Sequence, residues 1–151
     1  HWNSGAQTQN QISLYHKIKG KIMEKTFFVI GTIFSGLAVA AGAFGAHGLQ
    51  NIVSAERLVT WEKAVRYQMY HGLALMLIAW AITQWWNQTS TLQAGGWFFI
   101  IGTLLFSGSL YYLVFNGSLD FNGISLGLVT PVGGVFFVFG WLALMIAAWR
   151  G

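Results

Sequence analysis

Two histidines, His47 and His71, are the residues of this chain best placed to do chemistry. Both lie in the stretch 42–74, which joins two apolar runs and carries Glu56, Arg57, Glu62, Lys63 and Arg66. A neutral imidazole can ligate a metal or relay a proton, and ionisable groups at membrane depth mark functional sites by default. If the linker returns the chain to the face it left, the two histidines meet near one membrane interface. Taking about 100° per helical residue, His71 shares a face with Tyr67 and Gln68, whereas Glu62 and Arg66 lie nearly opposite. The candidate polar site is therefore His47, His71, Tyr67 and Gln68, with Glu62 and Arg66 a separate interfacial ion pair at i,i+4.

Each of these has a plainer reading, and it is preferred. His71 donates to a carbonyl of a neighbouring helix, as polar residues in membrane bundles do, and His47 terminates a helix at the headgroups. A metal needs three or four ligands, and two histidines are evident, so neither a metal nor a cofactor is assigned. A metal- or haem-binding redox module stays as an alternative, and it requires the two imidazoles within about 5 Å of each other. Gly42, Gly45 and Gly48 lack the strand–loop–helix setting and the Lys-Ser/Thr pair of a phosphate loop. Asp120 is isolated, and Ser107 and Ser109 have no nearby base, so no catalytic constellation stands out.

The elements that must position these residues follow from composition. The 151 residues are 55% hydrophobic and only 8% charged, against about 25% charged in ordinary soluble domains. A small soluble domain needs a polar skin, which so few charges cannot supply. There is no cysteine, which excludes disulfides and thiolate chemistry. The net charge of +4 comes largely from the N-terminal residues; basic residues beside apolar spans set membrane orientation and give no case for nucleic acid.

Four spans are expected, at about 26–46, 67–86, 94–115 and 123–149, each near the ~20 residues that a ~30 Å hydrocarbon core requires. Residues 49–66 are amphipathic and read as a short interfacial helix, N-capped by Ser54, running into the second span. Pro131, followed by Gly133 and Gly134, predicts a kink near residues 129–133, with Thr130 re-satisfying a freed carbonyl. Residues 1–22 are polar and without clear period, and Met23 precedes the first span as a natural start would. The expectation is a non-native or mobile extension, with a surface-binding segment carrying Lys17, Lys19 and Lys21 as its rival. A signal peptide ending near Ala41-Gly42-Ala43 is disfavoured by the length of the run. The fold class is thus all-α: an integral membrane four-helix bundle with an interfacial amphipathic helix between spans 1 and 2.

The motifs Gly42-Ala43-Phe44-Gly45-Ala46-His47-Gly48-Leu49 and Tyr67-x-x-Tyr70-His71-x-Leu73-Ala74 carry a resemblance, supported by Phe106-Ser107-Gly108-Ser109-Leu110-Tyr111, Thr130-Pro131-x-Gly133-Gly134 and Gly140-Trp141. Over residues 23–150 the chain resembles the small four-span bacterial membrane proteins of YwdK/YgdD type, a domain of unknown function with a related small transmembrane protein in animals. The resemblance implies a multi-pass protein of the bacterial inner membrane and no reaction. The expected role is non-enzymatic, exerted through packing or partners: the lipid bilayer, and a homo-oligomer or membrane-protein partner. The alternative is a small transporter or channel using the His47/His71 end.

Overall fold

The structure, a computed structural model, describes residues 4–118, 120–121, 124–125 and 127–151. Four long helices dominate it: α1 (Ser4–His47), α2 (Ala55–Gln84), α3 (Thr89–Asn116) and α4 (Val129–Arg150). The described part of the N-terminal stretch continues α1 without a break. The only strands among the described residues are a two-residue antiparallel ladder before α4, Asp120 opposite Ser125 and Phe121 opposite Ile124. By length and composition, three helical stretches can cross a membrane: Gln7–Asn51, Trp86–Asn116 and Val129–Arg150.

Local chemistry sets the helix ends. After α1 the chain makes one 3-10 turn, Leu49–Asn51. The Ser54 side chain then accepts from the Arg57 N–H at 3.4 Å and starts α2, as a residue with a short side-chain oxygen does at an N-cap. Residues 55–66 are accordingly the first turns of α2 itself, continuous with the rest of the helix. α3 stops at Gly117, whose φ of 76° lets its N–H reach the Leu113 carbonyl at 2.9 Å; only glycine adopts that conformation without strain. α4 begins at Val129, six residues later than the span expected at 123. Pro131 falls in its first turn, where a helix has no use for the missing N–H. The expected kink is therefore a helix start, and Thr130 bonds the Ser109 hydroxyl at 2.6 Å, not a freed carbonyl.

The helices pack in chain order: α1 on α2, α2 on α3, α3 on α4, with α1 and α4 not packed along each other. Packing relies on large rings seated over glycine. A Cβ at Gly140 would lie 2.5 Å from the Phe99 ring, one at Gly102 2.7 Å from Phe137, and one at Gly133 2.6 Å from the backbone nitrogen of Phe106. Between α1 and α2 the backbones nearly touch, since a Cβ at Gly31 would stand 2.6 Å from the Gly72 carbonyl oxygen. Small residues permit this approach where lipid removes the hydrophobic drive between helices. Gly133 and Gly134 thus receive Phe106 and do not act as a hinge.

Gly133→Ala must push α3 and α4 apart, because the obstacle is backbone. It is expected to cost ~1–3 kcal/mol, the range for overpacking. Gly108→Ala meets nothing within 4 Å and is expected to be neutral or to gain up to ~1 kcal/mol from helix propensity. Thermal denaturation of the two variants in detergent checks this, and equal losses would contradict it.

Candidate functional site

The buried face of α2 is a seam of Trp61, Ala64, Gln68 and His71, continued by the exposed Arg57 at its outer end and alternating four and three residues apart so that one face meets both neighbouring helices. Nearly every rung makes a hydrogen bond to another helix. Trp61 Nε1 donates to the Ala41 carbonyl of α1 at 2.8 Å. Gln68 Nε2 donates to the Phe34 carbonyl of α1 at 2.9 Å, and its Oε1 accepts from the Tyr111 hydroxyl of α3 at 3.0 Å. Ser107 of α3 donates to the Ala64 carbonyl at 2.8 Å. At the seam's outer end, Arg57 donates to the Val114 carbonyl at 3.3 Å. A cation there complements the negative end of α3.

His71 lies close to the middle of α2 and is 4% exposed. Its ring stacks on Phe137 of α4, with centroids 3.4 Å apart and planes within 4°, and Phe99 packs at 5.4 Å. Nδ1 lies 2.7 Å from the Tyr67 carbonyl, which fixes the Nδ1–H tautomer. The proton therefore goes to His71's own helix one turn back, not to a neighbouring helix. Tyr67 is 36% exposed and stacks on Phe106 at 4.6 Å.

The structure brings His71, Gln68 and Tyr67 together and leaves His47 apart. In the antiparallel register of α1 and α2, Gly45 lies beside Trp61, Phe34 is bonded by Gln68, and Gly31 faces Gly72. His71 is level with residues near 33, so His47, exposed at the end of α1, stands roughly 20 Å away along the helix axis at ~1.5 Å per residue. The expected meeting of the two histidines under one interface fails, because His71 sits several turns deeper than its sequence position implied. Glu62 and Arg66 are exposed on the outer face of α2 as their helical phase required. Neither side chain forms an ion pair among the described residues. The expected pair is replaced by two separate charges on the rim of a groove lined by Gly42, Ala46, Trp61 and Val65.

Trp61, Ser107, Tyr111 and the Ser109–Thr130 pair were not singled out as site residues from the sequence. The seven-residue spacing of Trp61, Gln68 and Leu75 stands in the sequence. What could not be read was which polar side chains reach across, since that depends on helix register.

Interhelical hydrogen bonds, ring-on-glycine packing and apolar helices define a helical membrane protein. The comparisons agree. A family described as "Protein of unknown function (DUF423)" matches residues 41–134, and the chain belongs to it. It is 44% identical to a UPF0382 membrane protein of Staphylococcus aureus over 83% of this chain and 97% of that one. It is 41% identical to a UPF0382 membrane protein of Staphylococcus saprophyticus, over 83% and 98% respectively. No solved structure matches.

Gln68→Leu removes bonds to two helices and is expected to cost about 1–2 kcal/mol, as interhelical hydrogen bonds in membrane proteins average ~0.6 kcal/mol each with a maximum near 1.7. Tyr111→Phe removes one of the same bonds. The double variant is expected to lose less than the sum of the two losses. A double-mutant cycle by unfolding in mixed micelles measures the coupling, and strict additivity would mean that the Gln68–Tyr111 bond contributes nothing.

Proposed function

We propose that all four helices cross a bacterial plasma membrane and that the chain is a non-enzymatic, multi-pass protein acting through packing and partners. The observation that carries this is the use made of the mid-depth polar groups. Gln68, Ser107 and the Nδ1 of His71 are each engaged with helix carbonyls, as architecture requires, and are not presented to a passage. α2 is less apolar than its neighbours because its first turns carry the exposed charges Glu56, Arg57, Glu62, Lys63 and Arg66, yet its 30 residues span ~45 Å at ~1.5 Å per residue, more than a ~30 Å hydrocarbon core requires.

The transport reading requires a path that reaches both His71 and Pro131. A groove lined by Leu77, Trp80, Trp85 and Trp141 and another lined by Gly42, Ala46, Trp61 and Val65 include neither. The shared-metal and haem readings need His47 and His71 together, and the register of α1 and α2 separates them. A membrane partner, or a second copy, has the outward faces of α1 and α4 available, where Val29, Ile33, Leu37, Val135 and Val138 are exposed.

The absence of cysteine makes the topology testable by single-cysteine labelling. With four spans, Lys63→Cys and Ser118→Cys are expected to react with a membrane-impermeant maleimide from one side, and Trp86→Cys and Arg150→Cys from the other. Labelling of positions 63 and 86 from the same side would overturn the four-span assignment. Ser35→Cys, at the α1–α2 crossing, is expected to stay unreactive in the native state, and rapid reaction there would favour transport. Gly36→Leu, on the open face of α1 with nothing within 4 Å, is expected to disperse a complex seen by cross-linking in membranes while leaving helicity intact. A wild-type chain that cross-links to nothing would count against the partner role.

A further inference from the structure

We propose that the groove between the end of α1 and the start of α2 binds one phospholipid through a headgroup that pairs a phosphate with a primary amine. The inference rests on the four-span reading, which puts the start of α2 at a bilayer surface.

The floor of the groove is apolar and shallow because Gly42 and Ala46 carry almost no side chain. Val65 forms one wall, and a Cβ at Gly42 would still stand 3.6 Å from it. The Trp61 indole is held at the base by its bond to the Ala41 carbonyl, so the trough is preformed. Its volume is ≈ 270 Å³, room for the upper part of an acyl chain and its glycerol. Glu62 and Arg66 stand on the rim, exposed, one turn apart on the same helix, with neither side chain in an ion pair among the described residues. Opposite charges at this spacing ordinarily pair with each other; here they do not, and both remain available to an outside partner.

Their order selects the ligand. Glu62 is nearer the start of α2 and therefore nearer water, while Arg66 lies about 6 Å deeper at ~1.5 Å per residue. In an aminophospholipid the phosphate lies deeper than the amine, with a two-carbon link between them. Arg66 is then placed to bind phosphate, which its planar fork matches, and Glu62 to accept from the ammonium. A choline headgroup offers Glu62 no N–H. A glycerol headgroup offers it no positive charge and leaves the phosphate charge beside Glu62 uncompensated.

The test is lipid retention by the full chain in native mass spectrometry, with phosphatidylethanolamine, phosphatidylcholine and phosphatidylglycerol added singly. Wild type is expected to hold the ethanolamine lipid about ten-fold more tightly than the choline lipid, the size of one charge-assisted hydrogen bond. Glu62→Gln is expected to abolish that preference while keeping binding, Arg66→Gln to weaken binding of all three lipids, and Lys63→Gln, off the groove, to change nothing. Equal retention of the three lipids by wild type, or a preference untouched by Glu62→Gln, would overturn the site. Because the labelling at positions 63 and 86 tests the span independently, a lost preference in a chain whose topology holds counts against the site alone.

Discussion

Inside a bilayer there is no water to satisfy a polar group and no hydrophobic drive to press helices together, since lipid tails are as apolar as the side chains they touch. Cohesion must come from close approach and from hydrogen bonds closed within the protein. This chain meets both demands on α2. Its small residues bring the backbones of α1 and α2 into contact at Gly31 and Gly72, and its polar residues discharge onto carbonyls of α1 or are met by hydroxyls of α3. The α3–α4 pair solves the same problem without polar side chains at most levels, seating Phe99, Phe106 and Phe137 over glycines of the facing helix.

Much of this was legible in the sequence because it is set by local chemistry. Apolar runs of about twenty residues gave the helices, Ser54 gave the start of α2, and the 100° phase put His71 and Gln68 on the inward face and Glu62 and Arg66 on the outward one. Errors arose wherever a partner element decides. Pro131 and Gly133 resemble a kink when read along one helix. In the fold, the proline opens α4 and the glycine accommodates Phe106 from another helix. The histidine meeting failed for the same reason. His71 is one turn into a predicted span but near the middle of α2, because α2 begins at Ala55, and depth follows from the real start of the helix.

The polar seam also explains why His71 can be buried without a site around it. Its Nδ1 proton is taken by the Tyr67 carbonyl and its ring is covered by Phe137, so a residue that on composition alone invites a catalytic reading serves here as a flat aromatic surface between α2 and α4. Glu62 and Arg66, exposed in the first turns of α2, also have polar atoms left to offer, and the same helical phase turns them away from the protein.

The serial order of packing has a consequence for how the chain enters a membrane. Among the described residues, α2 is the one long helix whose composition does not by itself favour hydrocarbon, and it carries Gln68 and His71 near its middle. Alone it would expose those groups to lipid. Beside α1 it finds the Phe34 and Ala41 carbonyls at once, and α1 leaves the ribosome first, joined to it by a short connection. α1 and α2 therefore form a natural unit of insertion, a hairpin in which the earlier helix acts as solvent for the later one. α3 then adds the hydroxyls of Ser107 and Tyr111 to a pair already in place, and α4 docks last onto a surface of waiting rings and glycines.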